Sequence, residues 1–301
     1  MNAPLNVNMD RRKYLGGSDV AGILGISPWK TPLDVYLDKI QPRSEEPDRN
    51  KARVFARGKR MEPYVIDLLA EEEGLEIIGR GNRYIDKQHN FLAAEIDAET
   101  ADGNNVEIKT VSPFKAKEWG EEQTDEIPVH YTAQVMHGLM VTGRSTCVLG
   151  VLIGGDDFRV YRVERDDELI ETIRAREVAF WQRIEQQLPP EPSTVSDIAR
   201  LYGAKDSGET VHATDAIIAD YLGLLALREQ STRLNEEIRE RTDRIKLFMG
   251  SASLLMVDGS PAVSWKGQES SRFDQAAFKE AHPDLFEQFK KKSDSRVFRV
   301  R

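Results

Sequence analysis

Asp97-Ala-Glu-Thr-Ala-Asp-Gly-Asn-Asn-Val-Glu-Ile-Lys109 is the stretch whose reading decides the fold. Asp102 to Asn105 is turn chemistry, so the residues on either side read as the two strands of a hairpin. Side chains alternate along a strand, which puts Glu107 and Lys109 on one face and points Ile108 into the opposite layer. The turn folds Asp97 back beside them, and two carboxylates and an ammonium then converge on one edge of a sheet. Such a set suits phosphodiester hydrolysis: hard oxygen ligands hold Mg²⁺ or Mn²⁺, and a lysine positions the attacking water or stabilises developing charge. The same residues also suit an exposed hairpin with a cross-strand ion pair, worth at most about 1 kcal/mol. Spacing alone leaves both open.

Outward from this hairpin, strand-like segments at Glu76-Ile77-Ile78 and Phe91-Leu92-Ala93 continue the sheet. Pro128 to Thr142 returns to helical spacing, Thr146 to Ile153 and Phe158 to Val163 read as two further strands, and a helix is predicted from Asp166 to Gln187. Toward the N-terminus, a helix starts at Ser18, whose side chain can cap it. Thr31-Pro32-Leu33-Asp34 opens a second, with a capping residue, a proline at the first helical position and an acid in the first turn. Arg49, Lys51, Arg53, Arg57, Lys59 and Arg60 form a basic stretch without an acid, before a helix from Met61 to Glu73. The expected organisation is a flexible leader over 1–13, an α/β (α+β) core over 14–190, and a C-terminal extension over 191–301 after the prolines of Leu188 to Pro192. The extension carries a long helix from Asp215 to Met249 with an apolar heptad seam broken at Ser231 and Arg241. A hairpin around Asp258 to Pro261 and a basic tail follow it.

Composition removes several classes of function. The chain has 301 residues, 40% hydrophobic and 31% charged, and no apolar run near the roughly 18 residues of a spanning helix. The expectation is a soluble, unexported, cytoplasmic protein with no membrane partner. The single Cys147 excludes a disulfide framework, a Cys-rich zinc site and a cysteine-ligated iron–sulfur cluster. Five histidines without an H-x-x-x-H pair leave carboxylates as the ligands for any metal. The net charge of −9 is unevenly spread: residues 1–60 carry 12 Lys+Arg against 7 Asp+Glu, a net of +5, which leaves −14 for the rest. A basic path bordered by acid is compatible with nucleic acid.

Four motifs stand in order along the first half. They are Gly16-Gly17-Ser18-Asp19 through Trp29-Lys30-Thr31-Pro32, Arg57-Gly58-Lys59-Arg60-Met61-Glu62, Asp97 with Glu107-Ile108-Lys109, and Tyr131-Thr132-Ala133-Gln134. Together they resemble the YqaJ-like viral recombinase, or lambda-exonuclease-type, branch of the PD-(D/E)XK nuclease superfamily, over most of residues 11–190. Ile96 stands where the superfamily name has proline, and Ala98 where a glycine often follows the acid. The resemblance implies a restriction-endonuclease-like core with a central mixed sheet flanked by helices, and a processive 5′-to-3′ exonuclease on double-stranded DNA. It also implies phage-type recombination with a single-strand annealing protein, and a homotrimer.

Carried onto this sequence, the resemblance makes Asp97 and Glu107 metal ligands, with the Ile108 carbonyl and Glu62 as additional ones. Lys109 would orient or activate the water, and Gln134 the nucleophile or phosphate. Ser18 with Arg11 would receive a terminal 5′-phosphate. Arg49, Arg53, Arg57 and Arg60 fall near one helix face and would contact backbone phosphates. Trp29 would stack on bases or anchor in a core. Plainer roles stay open for several of these: a first-turn acid for Glu62, a polar surface residue for Gln134, a capped helix at Ser18, a solvated basic face for the arginines. An endonuclease with the same site and a non-catalytic DNA-binding scaffold are the alternative functions. His130, close to Gln134, is the histidine most worth testing.

Overall fold

The computed structural model describes residues 10–41, 49–291 and 294–300. Residues 1–9 of the expected leader, and Lys292 and Arg301 of the basic tail, lie outside the described residues. The chain divides into two units, the first ending at Gly203 and the second beginning at Ala204.

In the first unit a five-stranded mixed sheet runs in the order β1 (Ile77–Ile85), β2 (Ala93–Thr100), β3 (Asn105–Val111), β4 (Thr146–Ile153) and β5 (Asp157–Glu164). All neighbours are antiparallel except β3 and β4, whose parallel pairing requires the crossover helix α4 (Val129–Thr142). Gly143, at φ 75°, ends α4 in the left-handed conformation that glycine adopts at no steric cost. Before the sheet lie α1 (Gly17–Ile23), α2 (Pro32–Ile40) and α3 (Arg49–Glu73), and after it α5 (Asp167–Glu185) and α6 (Val195–Tyr202).

The sheet separates two apolar clusters. Ala94, Ile96, Leu149, Val151 and Tyr161 pack with Val20 of α1 and Leu139 and Met136 of α4. Ala98, Val106, Ile108, Val148 and Val160 pack with Val65, Ile66 and Leu69 of α3. Cys147 is buried packing in β4.

Several elements differ from the predicted ones for identifiable reasons. Residues 11–13 form a short 3-10 turn, with Asp10 accepting the Arg12 N–H, so the chain is already ordered before Tyr14. At α1 the cap is Gly16, whose N–H the Asp19 carboxylate accepts, and Ser18 lies inside the helix. Helix α3 begins at Arg49, not Met61: its basic half lacks an apolar stripe but consists largely of good helix formers, and Pro63 does not interrupt it. Helix α6 was not predicted, although Thr194 and Asp197 form a reciprocal cap. Asp197 accepts from Thr31 Oγ1 at 2.9 Å and Arg200 pairs with Asp34, so the first unit continues past the prolines to Gly203.

The second unit holds α7 (Asp215–Met249), the hairpin β6 (Leu254–Val257) and β7 (Ser260–Ser264), and the short helices α8 (Gln275–Ala281) and α9 (Pro283–Phe289). Asp258 and Gly259 both take positive φ, as a two-residue hairpin turn requires. Met249 is the buried residue of α7; of the predicted seam, Leu224 is half-buried and Ile217, Leu227, Leu234, Ile238, Ile245 and Phe248 are exposed.

One buried ion pair ties α4 to α5. His137 Nδ1 lies 2.9 Å from Glu177 Oε1, both side chains being fully buried, while His137 Nε2 is 3.0 Å from the Ala93 carbonyl. Burial alone would lower the imidazole, but the Glu177 carboxylate outweighs it and holds the group above its ordinary value. Stabilisation from a raised histidine is complete below the unfolded value of about 6.5 and fades as pH rises through the folded value. Glu177→Gln is therefore expected to cost about 3 kcal/mol near pH 6, a gap that narrows toward pH 9 in urea unfolding of the full chain. A gap that stays constant with pH contradicts a charged pair.

Candidate active site

The site forms where β2 and β3 part. Their ladder pairs Glu99 with Asn105 and Ala98 with Val106. Past Ala98 the strand changes face: Ala98 packs with α3, whereas Ile96 and Ala94 pack with α4. Asp97 occupies the changeover. Its Oδ2 accepts the backbone N–H of Ile108 at 2.8 Å, a donor that an unbroken ladder would have consumed. Gly81, between the paired Arg80 and Asn82 of β1, stands across from Asp97 at φ 65°, which favours glycine at the changeover.

On β3, Glu107 and Lys109 share the face toward α4, and Ile108 is buried against α3, as alternation requires. The Lys109 ammonium pairs with Glu107 Oε1. Gln134 of α4 closes the group: its Nε2 donates to Glu107 Oε1 at 2.6 Å, and its Oε1 accepts from Lys109 Nζ at 3.2 Å. Lys109 also lies 5.0 Å over the Tyr131 ring, which Trp119 stacks from 5.4 Å.

Electrostatics distinguish Asp97 from its neighbours. Burial, then the nearby Glu107 charge, push its carboxyl up to about 8; Lys109 and the Ile108 N–H pull the other way, and Glu62 adds a smaller upward push. Burial acts to lower Lys109, yet the Glu107 and Asp97 carboxylates outweigh it and hold the ammonium above its ordinary value. Glu99, two residues along β2, has a different environment. Arg144 Nη2 at 2.5 Å, Tyr84 Oη at 2.6 Å and Asn82 Nδ2 at 2.8 Å donate to it, and these outweigh burial to keep its carboxyl low. Glu99 is thus occupied by protein donors, whereas Asp97 and Glu107 act on each other electrostatically with the one ammonium of Lys109, paired with Glu107, to offset them. A hard divalent cation fits that donor set, because it supplies the charge needed to keep both ionised.

The other predicted residues lie on α3, on α1 and in the segments beside α1. Glu62 lies on the α3 face that carries Gly58, whose position a Cβ would bring 3.7 Å from Thr110 Oγ1. Its charge reaches Asp97, but among the described residues no hydrogen bond joins Glu62 to Asp97, Glu107 or Lys109, and no three His, Cys, Asp or Glu side chains converge as a ready metal cluster. Arg49, Arg53, Arg57 and Arg60 are exposed on the half of α3 that leads to Glu62.

Ser18 is exposed and accepts from Arg11 Nη2 at 2.7 Å. A Cβ on Gly17 would lie 3.1 Å from Gln134 Cγ, so the start of α1 rests against the residue that binds Glu107 and Lys109. Trp29 is not a core aromatic: it is 64% exposed, edge-on to His130 at 4.8 Å. Burial lowers His130, with Lys109 and Lys115 adding to the effect against Glu118. Sequence reasoning assigned nothing to Asp19 or Lys39, which form a buried ion pair of 2.7 Å beneath Arg11 and Ser18. The only sequence signal was an acid three residues after a glycine cap.

Among known proteins, the model of the YqaJ-like viral recombinase domain matches residues 8–145. The Uncharacterized protein YqaJ of Bacillus subtilis (strain 168) is 30% identical over 301 residues, covering 97% of this chain and 92% of that one. Among solved structures, the alkaline exonuclease LHK-Exo of Laribacter hongkongensis is similar at 18% identity and a TM-score of 0.46, over 59% of this chain and 91% of the exonuclease. A phage-related exonuclease of Haemophilus somnus 129PT is similar at 16% identity and a TM-score of 0.40, over 58% and 95% of the two chains. Among the described residues no helix is long and apolar enough to cross a membrane.

The raised Asp97 carboxyl gives a direct check. In metal-free protein, carboxyl-carbon NMR is expected to show one aspartate titrating near 8, moving down in Glu107→Gln as the like charge is removed. An Asp97 that titrates at about 3.9 in both proteins contradicts the geometry.

Proposed function

The chain belongs to the YqaJ-like viral recombinase family, and on that premise we propose that it is a metal-dependent deoxyribonuclease that digests double-stranded DNA from a 5′ end. The observation that carries this is the convergence of Asp97, Glu107, Lys109 and Gln134 at the opening between β2 and β3. Asp97, Glu107 and the Ile108 carbonyl, with Glu62 from α3, would hold Mg²⁺ or Mn²⁺. The cation, when bound, supplies phosphate polarisation and a lowered water pKa.

Each side chain has a task that its contacts support. Lys109, paired with Glu107, orients or activates the water and stabilises negative charge on the phosphate. Gln134 fixes Glu107 and Lys109 relative to one another through its two amide atoms. Arg11 and Ser18 take the terminal 5′-phosphate. Arg53 and Arg57, with Arg49 and Arg60, contact backbone phosphates, and Trp29 offers an exposed ring for base stacking. Digestion is processive in a homotrimer and leaves a 3′ strand for a single-strand annealing protein in phage-type recombination in the cytoplasm of a bacterial host.

End-labelled linear duplex and closed circular duplex, each in Mg²⁺ or EDTA, test this. Hydrolysis is expected on the linear substrate in Mg²⁺ alone, with Asp97→Ala, Glu107→Ala and Lys109→Ala each losing at least about 100-fold in rate. Cleavage of the circle indicates an endonuclease with the same site. Mg²⁺-independent hydrolysis, or full activity in Asp97→Ala, overturns the proposal.

A further inference from the structure

Beneath the half-buried Arg11 and the exposed Ser18 lies an ionic cluster to which no role has been given. Asp19, on α1, is 1% exposed. Its Oδ2 accepts the Gly16 N–H at 3.1 Å and Lys39 Nζ at 2.7 Å, and lies 3.5 Å from Arg11 Nη2. Lys39, on α2 and equally enclosed, donates a second hydrogen bond to the backbone carbonyl of Arg11 at 2.9 Å. Lysine thus holds the main chain of Arg11, and aspartate attracts its guanidinium. The guanidinium is also 5.1 Å over the Tyr14 ring and donates to Ser18 Oγ at 2.7 Å. Gly16 allows this placement, since a Cβ there would come within 2.8 Å of Arg11 Nη1.

A buried ion pair contributes little net stability, because desolvation offsets its attraction, so stability alone does not account for one here. Its geometric effect is specific. Three elements, the 3-10 turn of Arg11, α1 and α2, are fixed at one point, and Arg11, Ser18, Lys30 and Asp38 are the parts of the cluster that reach solvent. Lys30 lies 3.9 Å from Asp19 Oδ1 and 2.8 Å from Asp38. Arg11, Lys30 and Lys39 against Asp19 and Asp38, with Glu95 beside Arg11 offset by its partner Arg83, leave one positive charge in excess, which favours an anion over a neutral group at the exposed side.

We propose that Asp19 and Lys39 are positioning residues that set Arg11 and Ser18 for a terminal phosphomonoester, and thereby determine discrimination between phosphorylated and unphosphorylated DNA ends. This rests on the assignment of Arg11 and Ser18 as the 5′-phosphate pocket. Neither residue touches the phosphate; both act through Arg11.

The test uses the full chain in Mg²⁺ with linear duplexes carrying 5′-phosphate or 5′-hydroxyl ends, and reads the ratio of kcat/KM for the two. Arg11→Ala is expected to lower the ratio by about tenfold or more, and Asp19→Asn to lower it into the same range, mainly through KM for the phosphorylated end. Because Asp19 acts through Arg11, Asp19→Asn added to Arg11→Ala is expected to change the ratio by less than about twofold. An unchanged ratio in Asp19→Asn, or an equal further loss in the double variant, overturns the proposal. If Asp19→Asn lacks the wild-type circular dichroism spectrum, Lys39→Arg decides. It keeps the charge but displaces the contact to the Arg11 carbonyl, so a tenfold fall supports the proposal and a wild-type ratio overturns it. Wild-type protein that cuts both ends equally removes the phosphate pocket and this inference with it, while leaving the nuclease intact. Wild-type protein that cuts neither end overturns the nuclease itself.

Discussion

The hydrogen bond from the Ile108 N–H to the Asp97 carboxylate is the constraint around which the first unit is arranged. In a continuous antiparallel ladder that N–H would meet a backbone carbonyl, and the side chains of β2 would keep one alternation to the strand's end. Here the side chain takes the donor, the ladder stops at Ala98 and Val106, and the residues on either side of Asp97 pack in different cores. The opening costs ladder hydrogen bonds. It gives in return a place where Asp97 and Glu107 meet without being consumed by the sheet, and the Ile108 N–H is still satisfied. Burial of Ile108 against α3 fixes β3 in rotation, so Glu107 and Lys109 can only face α4, where Gln134 waits.

Charge is distributed to suit that opening. Two carboxylates and one ammonium leave the centre short of positive charge, and burial, then the Glu107 charge, push the Asp97 carboxyl up. Elsewhere in the same sheet, Glu99 shows how the fold treats a carboxylate whose role is structural: three donors saturate it. Exposed arginines lie on the first half of α3, ahead of Glu62, and Arg11 lies at Ser18. Gly17 rests against Gln134, so the start of α1 meets the acidic centre there.

Much of this was legible in the sequence where periodicity and chemistry agree. Thr146 to Ile153 is an apolar run too short for a helix and emerged as a central strand; Thr31-Pro32-Leu33-Asp34 states its cap outright. Glu107-Ile108-Lys109 reads correctly because alternation is local. What sequence could not give depended on partners distant in the chain. Ala93–Thr100 is rich in alanine and glutamate, poor strand formers, so the Asp102 to Asn105 turn marks it as a strand while its extent depends on β1 and β3 beside it. The basic half of α3 carries no apolar stripe to announce a helix, and Trp29, better suited by its apolar ring to a core, is at the surface. Asp19 was read as part of a motif, but its contact with Lys39 spans two helices and a loop, and nothing in local spacing encodes it. The heptad seam of α7 was legible as a pattern, yet a pattern does not name what covers it.

The central claim is that Asp97 and Glu107 are kept together, against their mutual repulsion, to hold a divalent cation. Mn²⁺ titration of the full chain followed by electron paramagnetic resonance tests it most directly. The account predicts saturable binding that is lost in Asp97→Asn and in Glu107→Gln, with both variants retaining the wild-type circular dichroism spectrum. Binding that survives both substitutions, or no binding by the wild type, would contradict it.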